Sequence, residues 1–161
     1  MADIVPDLDQ VSHGRSFRRG RDAFNVAQCA ACHRFGDEGG SVGPDITGAA
    51  SRFNHHDLLE TIIEPSKVIS DQYQNMIITK KDGDDVTGRI LEDKPDKLVL
   101  VVNPLTGDKV ELKKSEIGKR EPSKVSPMPE GLVNILTKEE ILDLLAYIES
   151  GGKREHASFK Q

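Results

Sequence analysis

The only two cysteines of this chain stand in Cys29-Ala30-Ala31-Cys32, and His33 follows at once. Two thiols at that spacing with an adjacent imidazole form the pattern of c-type haem attachment. Each thiol can hold one vinyl edge of a porphyrin, and two intervening residues on a helical turn set their separation. His33 can then reach the iron from the proximal side, and the small Ala30 and Ala31 let the backbone lie close to the porphyrin edge. A Cys-X-X-Cys redox pair calls for a thioredoxin-like βαβ setting, whereas the surroundings here read as helix and loop. A zinc site calls for four ligands, usually with a second Cys or His cluster, and the adjacent His55 and His56 do not supply one. The expectation is one covalently bound haem c, held by Cys29 and Cys32, with His33 as an axial ligand.

The elements that must position this motif are legible on both sides of it. Gly20 and Phe24 lie one turn apart on a helix running into the cysteines. Far downstream, Thr137-Lys138-Glu139-Glu140 spells a capping box. The helix it opens carries Ile141, Leu144, Leu145 and Ile148 at helical spacing, with Tyr147 beside them, and Gly151-Gly152 stops it. Asn54 is a candidate N-cap for a helix starting near Asp57.

Four residues are candidates for the sixth ligand: Met128, Met76, His55 and His56. Met128 lies in Ser126-Pro127-Met128-Pro129, where flanking prolines stiffen the loop. Met76 lies in a strand-like run, where methionine is usually core, and His55 and His56 sit at a helix start, where exposed histidines are ordinary. Met128 is therefore preferred, although 95 residues separate it from His33.

The middle of the chain accounts for that distance. Between about 72 and 121, helical periodicity gives way to β-rich runs at Tyr73–Thr79, Asp85–Leu91, Lys97–Val102 and Lys109–Leu112. The turns between them are Lys81-Asp82-Gly83, Asp93-Lys94-Pro95-Asp96 and Leu105-Thr106-Gly107-Asp108. The spacing predicts a small antiparallel sheet or barrel, similar to SH3-like or Sm-like barrels, inserted into a loop. The expected division is residues 1–71 plus 122–161 as one domain and 72–121 as the insertion. The expected fold class is α+β: an all-α domain, resembling the class I cytochrome c fold, with a small inserted antiparallel β module.

Composition agrees. Of 161 residues only 4% are aromatic and none is Trp, so a bulky apolar cofactor would make up for a shortage of large core side chains. The net charge of −5 argues against nucleic acid as the main partner. Residues 72–121 hold ten basic and ten acidic side chains, so the net negative charge lies wholly outside them. Electrostatic steering of a partner would then act on the haem part. No stretch is long and apolar enough for a membrane span. The opening MADIVPDLDQ has neither a basic n-region nor an apolar h-region, so the expectation is a signal already removed or a domain cut from a longer protein.

Two resemblances add to this reading. Gly43-Pro44-Asp45-Ile46-Thr47-Gly48 resembles the Gly-Pro-x-Leu-x-Gly loop of class I cytochromes c. That likeness implies that the Pro44 carbonyl accepts a hydrogen bond from the ring of the ligating His33, a bond that fixes the tautomer and raises ligand basicity. It also implies that Met128 is the Met-Pro-loop ligand, and that Gly20, Phe24 and Tyr147 mark the crossing of the first and last helices. Taken in order, Gly20–Phe24, Cys29–His33, Gly43–Gly48, the β-rich run, Ser126–Leu132 and Leu144-Leu145-Ala146-Tyr147 resemble the haem-binding domain of the Pirellula/Verrucomicrobium type over about residues 17–150. That family implies a place behind dehydrogenase-like regions in large proteins, and so a dehydrogenase, attached or neighbouring, as redox partner.

The expected function is single-electron transfer rather than enzymic turnover, because no catalytic triad, carboxylate pair or phosphate loop is visible in the sequence. Two other readings compete with it: a haem enzyme or ligand sensor with an open sixth site, and a partner-docking role for the β module. Haem c is attached outside the bacterial cytoplasm, so the expected location is periplasmic or extracytoplasmic.

Overall fold

Ser16 starts helix α1 (Phe17–Val26) by accepting a hydrogen bond on its side chain from the Arg19 N–H, which satisfies one of the helix's unpaired N-terminal donors. Gln28, at a left-handed φ of 63°, breaks the chain between α1 and the short helix α2 (Cys29–Cys32). Asn54 caps α3 (His55–Ile63) through the Asp57 N–H. Thr137 and Glu140 form the complete capping box of α4 (Lys138–Glu149). Gly151 and Gly152, at φ of 62° and 77°, turn the chain away from its end. These elements are seen in a computed structural model that describes residues 1–161. The chain falls into two compact units, one made of Met1–Lys67 with Pro129–Gln161, the other of Val68–Met128.

In the first unit α1 and α4 cross at Gly20. A Cβ there would lie 2.3 Å from the Asp143 carbonyl oxygen and 2.7 Å from the Tyr147 Cβ, so only glycine lets the helices approach this closely. Asp143, fully buried, ties the crossing together. Its carboxylate accepts from the Ser16 N–H at 2.9 Å and from Arg19 Nε at 2.6 Å, with Arg15 Nε at 3.6 Å. Five of the seven aromatic residues gather beside it: Phe17, Phe24, Phe35, Tyr147 and Phe159, with successive ring centroids 5.1 to 5.6 Å apart. Tilted and edge-on pairs of this kind add to the stabilisation from burial alone. The scarce aromatics are thus concentrated at one helix crossing, and the remaining core is aliphatic, with Leu59, Leu142, Leu144 and Leu145 fully buried.

Two features of this unit were not foreseen. A 3-10 helix, Val5–Ser12, buries Leu8 and Val11. The unit is also not purely helical: β1 (Arg34–Phe35) and β2 (Glu38–Gly39) form a small antiparallel pair, turned at Gly36 with φ 62°.

The second unit is an antiparallel sheet of five strands, β3 (Met76–Lys80), β4 (Asp85–Asp93), β5 (Lys97–Asn103), β6 (Asp108–Lys113) and β7 (Ile117–Pro122). Their order in the sheet is β6-β5-β4-β3-β7. The first four follow one another as hairpins. A 3-10 turn, Lys114–Glu116, then carries the chain to β7 on the free side of β3. Residues 85–88 of β4 pair with β3 and its remainder with β5, with an irregularity at Ile90/Glu92; such a bulge bends a strand. Ile78, Leu98, Leu100 and Leu112 form the unit's own core, with Met76, Val86, Ile90, Val110 and Ile117 packed against it. The unit reaches beyond 72–121 at both ends. The Ser123 N–H donates to the Asn75 carbonyl and Gln74 Nε2 donates to that of Ser123, which clips the flanking loop to the sheet. The strand β7, absent from the sequence-based set, is almost wholly exposed and shows no apolar alternation.

Candidate haem-binding site

The Cys-X-X-Cys-His motif is one turn of helix with its histidine just past the end. The His33 N–H donates to the Cys29 carbonyl, and His33 itself is extended (φ −102°, ψ 134°), so its ring leaves the helix. The chain then folds back over the motif. The Gly40 N–H donates to the Ala30 carbonyl at 3.0 Å, the Gly43 N–H to that of Cys32 at 2.8 Å, and the Ile46 N–H to that of Arg34 at 3.0 Å.

Three glycines make this return possible. A Cβ on Gly39, at φ 98°, would strike the His33 carbonyl oxygen at 2.1 Å, and one on Gly40 would reach the Ala31 carbonyl oxygen at 2.4 Å. On Gly43 it would meet the His33 ring, with Cε1 at 2.8 Å and Nδ1 at 3.0 Å. Gly39 and Gly40 were missed as site residues. The signal available was the glycine doublet itself, which marks close backbone approach.

His33 Nδ1 lies 2.7 Å from the Pro44 carbonyl oxygen. A carbonyl can only accept, so Nδ1 carries the proton and Nε2 keeps its lone pair. That is the tautomer an axial ligand needs. The loop behind Pro44 is braced. Asp45 accepts from the Thr47 N–H at 2.9 Å and the Thr47 hydroxyl at 2.6 Å, while Thr47 Oγ1 accepts from the Gly36 N–H at 2.8 Å. The Thr47 hydrogen bonds, helped by the Arg34 and Arg52 charges, hold the Asp45 carboxyl below its ordinary range.

The two thiols are free and partly exposed. Burial pushes the Cys29 thiol up to about 11, and burial also raises Cys32. A disulfide-exchange motif depends on a lowered thiol pKa, so this pair has the opposite electrostatics. The donor set fits haem c: two neutral thiols one helical turn apart and an imidazole with its Nε2 free. Cys29 and Cys32 would hold the porphyrin and His33 its iron. A recess of about 610 Å³ in the same unit, lined by Ile4, Ile63, Val133, Leu136, Ile141 and others, contains none of these residues. The site is defined by its donors rather than by concavity.

The other candidates are placed as follows. Met76 opens β3 opposite Gly88 and Pro122, packed against the sheet core. Met128 closes the second unit in a loop, half-buried, its N–H donating to Ser126 Oγ at 3.1 Å. Both ring nitrogens of His55 have protein partners, Ser12 at Nε2 and Glu149 at Nδ1. The exposed ring of His56 lies 3.5 Å from Asp57.

Residues 17–94 match the family model for cytochrome c. The match takes in α1, the attachment motif, the Gly43–Gly48 loop, α3 and the strands β3 and β4, and it ends before Met128 and α4. It supports a c-type cytochrome, with covalently bound haem c and haem-based electron transfer as its chemistry. Proteins of this family are in general electron carriers, commonly extracytoplasmic. No helix of the chain is long and apolar enough to cross a membrane. A comparison with curated proteins finds no match.

Proposed function

We propose that this chain is a monohaem electron-transfer module with a class I cytochrome c fold, into which the five-stranded unit is inserted. The observation that carries the reading is the His33–Pro44 hydrogen bond, which leaves Nε2 of the motif histidine as a free donor. Bound haem supplies a one-electron Fe(III)/Fe(II) couple. Cys29 and Cys32 anchor it, His33 ligates on one side, and Pro44 fixes the imidazole orientation and basicity. Met128 is assigned as the second axial ligand, because Met76 packs in a sheet core and His55 is engaged at both nitrogens. A thioether ligand raises the potential. The donor is taken to be a dehydrogenase, attached or neighbouring, and the location the periplasm or another extracytoplasmic space.

The readings with an open sixth site require a distal acid–base group, and the partners of His55 commit it elsewhere. The test is maturation in an export-competent host followed by haem staining of a denaturing gel. Wild type is expected to stain, while Cys29→Ala and Cys32→Ala weaken or lose the stain. A wild-type protein that loses all its haem in acid acetone would refute covalent attachment. A midpoint potential unmoved by Met128→Ala would refute the axial assignment.

A further inference from the structure

No triad is visible in the sequence, yet the fold assembles one. The 3-10 helix ends at Ser12, α3 begins at His55, and α4 ends at Glu149. Ser12 Oγ lies 3.1 Å from His55 Nε2, and His55 Nδ1 lies 2.5 Å from Glu149 Oε1. Three residues far apart in the chain thus meet in the order hydroxyl, imidazole, carboxylate. Such constellations are recognised by geometry and roles, not by position in the chain.

The chemistry of each partner follows from its surroundings. The Glu149 side chain is only 9% exposed and its recorded partner is His55. A buried carboxylate needs a donor, and Nδ1–H supplies it. A neutral His55 is thereby held as the Nδ1–H tautomer, with the Nε2 lone pair facing Ser12. The Ser12 hydroxyl then donates to Nε2, which is the arrangement of a nucleophile and its general base. Ser12 is exposed, so a small reactant can reach it.

We propose that Ser12, His55 and Glu149 form an acyl-transfer site, separate from the haem attachment residues, that accepts acyl groups from small carboxylic esters. Ser12 Oγ bonds to the ester carbonyl carbon while its proton passes to His55 Nε2. The carbon–oxygen bond to the leaving alcohol then breaks, and the alcohol takes that proton back. The product is an ester on Ser12. Water, activated by the same Nε2, releases the carboxylic acid and restores the hydroxyl. Glu149 is a positioning residue: it holds the tautomer and stabilises the imidazolium.

The test uses the haem-loaded full chain with p-nitrophenyl acetate, following p-nitrophenolate release and mapping acetyl groups by peptide mass spectrometry. An acetyl group on Ser12 is expected. His55→Gln should slow its formation by about 10²-fold or more, the usual share of a general base, and Glu149→Gln should slow it too, with the haem spectrum unchanged. Acetylation confined to lysines and the N-terminus would overturn the proposal, as would acetylation of Ser12 at the wild-type rate in His55→Gln. Ser12→Ala leaves the His55–Glu149 pair intact and keeps the test open should a Gln variant not fold. Its p-nitrophenolate release should fall to the lysine background, and unchanged release would overturn the proposal.

Discussion

The Nδ1 atom of His33 stands 2.7 Å from the Pro44 carbonyl oxygen, and Gly43 lies flat against the same ring. The residue that presses on the imidazole and the residue that orients it are consecutive. Any side chain on Gly43 therefore disturbs both relations at once.

Gly43→Ala should push the ring away from the loop and weaken its bond to Pro44. An imidazole without that bond is less basic and stabilises Fe(III) less, so the midpoint potential should rise. Spectroelectrochemical titration of holoprotein measures this. An unchanged potential would mean that the carbonyl is not felt at the iron.

The axial assignment separates two methionines. Met128→Ala should abolish the near-infrared sulfur-to-iron band of the ferric protein, lower the potential and admit cyanide or carbon monoxide. Met76→Ala should keep the band and instead destabilise the sheet, by about 1–2 kcal/mol for a half-buried methionine. Survival of the band in Met128→Ala with its loss in Met76→Ala would move the ligand from the loop that closes the second unit to its strand β3.

At the helix crossing, Gly20→Ala should cost about 1–3 kcal/mol, the range for overpacking a tight contact. The atoms it meets are backbone and Cβ of α4, which cannot swing aside. Urea unfolding of wild type and variant gives the difference directly. Equal midpoints would show that the crossing relaxes freely.

Asp143→Ala should destabilise more, by about 3 kcal/mol, because it removes a fully buried carboxylate that pairs with Arg19 at 2.6 Å and leaves the Ser16 N–H without an acceptor. Asp143→Asn keeps an acceptor for Ser16 and should lose less. A loss in Asp143→Ala no greater than in Asp143→Asn would mean that the acceptor for Ser16 adds nothing beyond the charge.

What could be read in advance was what chemistry or local geometry spells out within a few residues. The helical turn at Cys29–Cys32, the Asn54 cap and the Thr137–Glu140 box are each complete in a short window and each is present, with α3 starting at His55, two residues before the expected Asp57. Four of the five strands were foreseen from runs between turns. Strand β7 was not, because Gly118, Lys119, Arg120, Glu121 and Pro122 lie exposed on an edge, where burial imposes no pattern. The 3-10 helix was hidden for a related reason: Leu8 and Val11 are its only buried residues among acidic and polar ones. The Ser12–His55–Glu149 contact has no local signature at all, since three separate elements must fold before it exists.

In the strand unit Met76 pairs with Pro122 and Lys80 with Ile117, so the chain enters on β3 and leaves on β7 at the same end of one antiparallel ladder. Tension applied through the two connecting segments would load that ladder end-on, one rung at a time, rather than shearing all its rungs together. Force spectroscopy should therefore see this unit peel open at low force, like a zip pulled from its open end.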